Sequence, residues 1–261
     1  MKRLIAVAAV LVACALPLPA AAVGSIADIV VYDRAQGRLL PVHVHEGRHY
    51  VVGQPGNEYE IRLRNRQRGD ILAVVAVDGV DVITGDTADW RQSGDVLGPR
   101  QGFGVKGWRK SLDRVAAFYF TALPDSYAAR TGRPDHVGVI GVALFRKKPE
   151  PVAQYSPPPA PAAAEHSAGT ARDDAAGAGT GSRAEAPATT AQKSARLGTG
   201  HGRSEASQVT YTEFERATAA PAEVITIYYD SYRNLVAQGV IRAPQLARPD
   251  PFPGRFAPDP L

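Results

Sequence analysis

The chain has 261 residues, a formal charge of +4 and a single cysteine. One cysteine excludes an internal disulfide framework and a cysteine-based zinc cluster. The small net charge argues against nucleic-acid binding, which needs a clustered cationic footprint.

Residues 1–22 read as a secretory signal. Met1-Lys2-Arg3 supplies the positive start, Leu4 to Leu18 the apolar run, and Ala20-Ala21-Ala22 the small residues before a cut after Ala22. The run is too short to be read as a membrane span. The expected compartment is therefore periplasmic or extracellular. Loss of Lys2 and Arg3 lowers the formal charge by two. Leu11-Val12-Ala13-Cys14 also resembles a lipobox, in which Cys14 would carry a lipid anchor; that is the one route to a membrane. Apolar residues continuing past Cys14 favour a plain signal core.

Residues 27–148 form the expected first domain. Ile29 to Tyr32 reads as a strand, Leu39 to Val44 and His49 to Val52 as a pair broken at Glu46-Gly47, and Gln54 to Asn57 as loop. Tyr59, Ile61 and Leu63 alternate with Glu60, Arg62 and Arg64, the period of a half-buried strand. Residues 71–77, Ile-Leu-Ala-Val-Val-Ala-Val, are apolar throughout, which predicts a strand covered on both faces. Asp78-Gly79 before Val80 and Val82 predicts a tight hairpin, since both turn residues need positive φ. Gly85 to Lys106 reads as a long surface connection, and Phe103 to Trp108, Val115 to Thr121 and His136 to Arg146 as further strands. Pro124 to Gly132 reads as a helical turn started by Asp125 and ended by Gly132. Many short strands without helical periodicity predict an all-β fold, an antiparallel β-sandwich or partly open barrel.

Residues 149–196 are dominated by Pro, Ala, Gly, Ser and Thr and predict a disordered linker. Residues 197–243 predict a small β element that docks on the first domain or on a partner. In it, Val209 to Phe214 reads as a strand or, with Thr212 and Glu215 as a capping box, as the start of a short helix. Val224 to Tyr229 reads as a strand with Leu235 to Ile241 returning as a hairpin. Residues 244–261 read as a proline-rich tail.

Several segments together carry a resemblance: Val77-Asp78-Gly79 with Val82, Gly107-Trp108-Arg109, Tyr127-Ala128-Ala129 and Val137 to Gly141. Leu197 to Gly202, Phe214-Glu215-Arg216 and Val224 to Asp230 add to it. The combination resembles an uncharacterised family of exported bacterial proteins and covers most of the chain outside signal, linker and tail. The resemblance implies the compartment and the layout; it implies no activity.

Candidate sites are sparse. His43 and His45 share a strand face, and His49 or Glu46 across the turn would complete a metal site; solvated polar side chains are the plainer reading. Gly198-Thr199-Gly200-His201-Gly202 lacks the strand, helix and lysine of a phosphate loop and reads as a loop. His201 and Glu205 have the types of a base and its orienter, but Ser126 lacks nucleophile-elbow context. Arg62, Arg64, Arg66 and Arg68 read as a solvated face. Trp90, Trp108, Arg109, Tyr127 and Arg130 have the types that anchor interfaces, with closure of the core by Trp108 as the alternative. The expected protein is an exported recognition or envelope-associated structural module, not an enzyme, without cofactor, whose partner is a protein or another envelope component. A metal-assisted enzyme or metal-binding protein at His43/His45 and a lipoprotein anchored at Cys14 are the alternatives.

Overall fold

The computed structural model describes residues 22–150 and 196–243. The expected signal, Cys14, nearly all of the linker and the proline-rich tail lie outside the described residues.

The described residues form two facing seven-stranded sheets, neither closed into a barrel. The first contains β1 (Ala27–Asp33), β2 (Arg38–Leu39), β5 (Glu58–Asn65), β9 (Gly102–Val105), β10 (Gly107–Arg109), β11 (Arg114–Ala122) and β13 (Leu197–Ala206). The second contains β3 (Val42–His45), β4 (Arg48–Val52), β6 (Ile71–Val77), β7 (Val80–Asp81), β8 (Asp95–Leu97), β12 (Val139–Arg146) and β14 (Glu223–Asp230). Pairing is antiparallel except between β14 and β4.

The period-two pattern of β5 does what it predicts. Tyr59, Ile61 and Leu63 enter the core between the sheets, while Arg62 lies over the Tyr32 ring, 3.4 Å from its centroid, on the outer face. The continuous apolar run becomes β6. Its odd-numbered residues, Ile71 to Val77, join the main core. Leu72 and Val74 face outward, where Ala143, Phe145 and Phe214 enclose them in a second, smaller cluster. The Arg216 guanidinium covers this cluster, 4.1 Å from the Phe145 ring centroid. Asp78 and Gly79, at φ +54° and +71°, make the predicted turn into β7.

Residues 197–243 do not form a separate element. β13 lies along the whole of β11, from Arg114↔Ala206 to Ala122↔Leu197. β14 inserts between β12 and β4, in the middle of the second sheet. The segment between them crosses to the second sheet and follows the end of β12: Lys148 N–H donates to Glu215 C=O at 2.8 Å and Ala217 N–H to Arg146 C=O at 2.9 Å. Val209 to Phe214 is neither strand nor helix.

Two further local expectations fail. The predicted C-terminal hairpin is absent, because Leu235 to Ile241 begins in a helix, α2 (Tyr232–Ala237). Ser231 caps it, accepting from Asn234 N–H, and Gly239 at φ +75° follows its end. Leu235 is its buried residue, so the apolar pairs that suggested a strand serve one helix face. The turn helix α1 (Tyr127–Arg130) is capped by Ser126, not Asp125. The Ser126 hydroxyl accepts from Ala129 N–H at 3.2 Å and donates to Leu123 C=O.

The Gly198–Gly202 stretch is a strand, not a loop. A Cβ at Gly200 would overlap the Tyr119 ring, which lies across it from β11. A side chain there would force the Tyr119 ring aside.

Candidate functional site

The densest polar constellation is buried and ties the two parts of the chain together. Asp78 is fully enclosed. Its Oδ1 accepts from the Tyr229 hydroxyl at 2.6 Å and Gly138 N–H at 2.9 Å; its Oδ2 accepts from Thr199 N–H at 2.8 Å. Thr199 Oγ1 lies 2.6 Å from the Tyr229 hydroxyl and 2.7 Å from that of Tyr59. An ionised carboxylate only accepts, so Tyr229 donates to Asp78. Thr199 must then donate to Tyr229, and Tyr59 to Thr199. The chain of hydroxyls therefore runs in one direction and leaves no donor unused.

Burial pushes the Asp78 carboxyl up to about 6, against the Tyr229 hydroxyl and the backbone donors, which favour its charge. Burial likewise raises both tyrosines, with the Asp78 charge adding to it. Asp230 acts in parallel. Its Oδ1 accepts from Leu197 N–H and from Asn234 Nδ2, and its Oδ2 from Gln238 Nε2. Asp78 and Asp230 thus occupy amide donors of β13 that β11 does not use, closing that stretch of edge.

A second acidic pair lies beside β6. Asp81 Oδ1 accepts from Ile83 and Thr84 N–H at 2.9 and 2.8 Å; its Oδ2 is buried without a hydrogen-bond partner. Burial pushes Asp95 up to about 6, against the attraction of Arg109 and with repulsion from Asp81.

The expected interface residues divide. Trp108 is buried, as the core-closing alternative has it, and stands at the centre of an aromatic group. Its ring centroid is 4.7 Å from Tyr127, 4.8 Å from Phe118 and 6.3 Å from His201, and Tyr127 is 5.3 Å from His201. Tyr127 is half-buried and His201 exposed. Burial lowers the His201 pKa, and the charges of Lys110 and Arg130 lower it further. β10, α1 and β13 thus converge on one mixed aromatic and basic surface.

Arg109 is separate from it, turned to Ser207, whose C=O accepts from Nη1 at 2.7 Å. Trp90 is 52% exposed and its C=O accepts from Arg216. His201 is the member that sequence reading did not group here; its alternation with Gly200 and Gly202 was the available signal. Glu205 does not orient it. Glu205 pairs with Arg34 at 2.9 Å and Arg203 at 3.1 Å, within a charged group that includes Glu58. Within that run, Arg62 pairs with Glu60 and Arg66 with Asp28.

Register separates the histidines. His43 and His45 stand opposite Tyr50 and Arg48, whereas His49 stands opposite Val44 and so projects from the other face. No group of three or more His, Cys, Asp or Glu side chains able to hold a metal ion occurs among the described residues. Comparison with known proteins finds no matching family model, curated protein or solved structure.

Asp78, fully enclosed, and Asp95, half-buried, make stability depend on pH. Asp78 and Asp95 titrate higher when folded than when unfolded, so each contributes stability that is full below about pH 4 and is lost as pH rises through about 6. For Asp78 the difference is on the order of 3 kcal/mol. His201, held below its ordinary value, acts in the opposite sense over the same range but is exposed, so the melting temperature should be higher at pH 5 than at pH 7.5. Asp78→Asn removes one of these titrations and should shrink that difference; an unchanged difference would contradict the assignment.

Proposed function

We propose that the protein is an exported, non-enzymatic recognition module of the cell envelope, which contacts an acidic envelope component through the surface built by Tyr127, His201, Lys110 and Arg130. One observation carries this reading: three separate elements bring two accessible rings and two cations together over a buried tryptophan. Stacked rings supply rigid contact area at small entropic cost, and Trp108 beneath fixes their positions. The flanking cations select an anionic partner and speed its approach.

The buried polar groups support a structural role for the rest of the sandwich. Asp78 is spent on backbone amides and a tyrosine hydroxyl in a fully enclosed setting. Export rests on the sequence alone: the basic start, the apolar run and Ala20 to Ala22.

Affinity capture from the native envelope tests the recognition surface. Full-length protein should retain an acidic component that elutes with salt, and Tyr127→Ala with Arg130→Glu should lose it. Equal retention by wild type and variant would refute the surface. Mass spectrometry of the processed N-terminus tests export: a start at Val23 fits cleavage after Ala22, and a lipid-modified Cys14 fits the anchored alternative.

A further inference from the structure

His201 is exposed, although it stands opposite the fully buried Phe118 in the β11 ladder. Directly opposed residues share a face, so the imidazole sits where the core meets solvent. Two rings lie beside it. That of Trp108 is nearly parallel, at 10° and 6.3 Å, and that of Tyr127 is 5.3 Å away at 34°.

These neighbours act on the charge of the imidazole in opposite senses. Tyr127 lies within the range at which a ring attracts a cation, and so favours the protonated form. Partial burial disfavours that form, and so do the charges of Lys110, next after β10, and Arg130, the last residue of α1. β11 contributes the uncharged Phe118. On β13 itself, Arg203 is paired with Glu58 and Glu205. Among the described residues no carboxylate acts on the imidazole. In the free protein His201 is therefore largely neutral at pH 7.

We propose that His201 makes the Tyr127 surface responsive to pH: a proton taken up by its imidazole strengthens binding of the acidic partner, and binding draws that proton in. The inference rests on the Tyr127 surface being the contact face. A partner anion at Lys110 and Arg130 offsets the two charges that oppose protonation, and the protonated imidazole adds a third cation for the anion. Anion binding and protonation thus favour each other, and the coupling is reciprocal. Affinity rises as pH falls, and a single proton limits the gain to roughly tenfold per pH unit.

The test uses the full-length chain and dextran sulfate, whose sulfates stay ionised between pH 5.5 and 7.5, with uncharged dextran as control. Wild type should bind dextran sulfate about 5-fold more tightly at pH 5.5 than at pH 7.5. His201→Gln removes the titration, and that ratio should fall toward unity. Loss of a ring contact alone would weaken binding at both pH values and leave the ratio unchanged. A ratio that persists in His201→Gln overturns the proposal and leaves the surface reading standing. Wild-type binding that Tyr127→Ala with Arg130→Glu fails to reduce, or no binding at either pH, overturns the surface reading and the proposal with it. On the unaltered chain, the midpoint of the His201 imidazole titration followed by NMR should rise when dextran sulfate is added. A midpoint that stays in place would overturn the proposal without recourse to a variant.

Discussion

Asp78 is a charge-bearing group sealed inside the protein, and donors on both of its oxygens offset the cost of enclosing it. Its donors come from both sides of the linker. Gly138 precedes it; Thr199 and Tyr229 follow it. Removing any one would leave part of a buried carboxyl exposed to an apolar interior, at a cost of about 1–3 kcal/mol. The turn from β6 to β7, the start of β12 and both late strands are therefore held to one geometry. Asp230 repeats the device at Leu197 and at the first turn of α2.

This constraint explains why the late segment is not an appendage. β13 covers the edge of the first sheet, and β14 stands within the second. Without β14, Ile225, Ile227 and Tyr229 would leave the core, and β12 would become an edge strand. Without β13, Tyr119 would lose the glycine surface beneath it and Tyr59 its hydroxyl partner.

Much of the sandwich was legible in local pattern. The alternation at Tyr59 to Arg64, the unbroken run at 71–77 and the Asp78-Gly79 pair each specify an element through neighbouring residues alone. What local pattern misses depends on distant partners. Gly198, Gly200 and Gly202 have poor strand propensity, and it is pairing with the distant β11 that makes them a strand. Leu235, Val236, Val240 and Ile241 suit a strand by composition, yet Ser231 and Asp230 start a helix there. Trp108, Tyr127 and Arg130 stand out in the sequence by residue type. Their meeting with His201 does not, because it needs β13 beside β11. His43, His45 and His49 look like a cluster in sequence, and strand register alone sets His49 on the other face.

The central claim is that both parts of the chain form one cooperative sandwich. Cutting the purified protein once within 151–195 tests it most directly. The account predicts that the two fragments stay associated through gel filtration in native buffer and unfold together in a single transition. Fragments that separate without denaturant, or that melt in two independent steps, would contradict it.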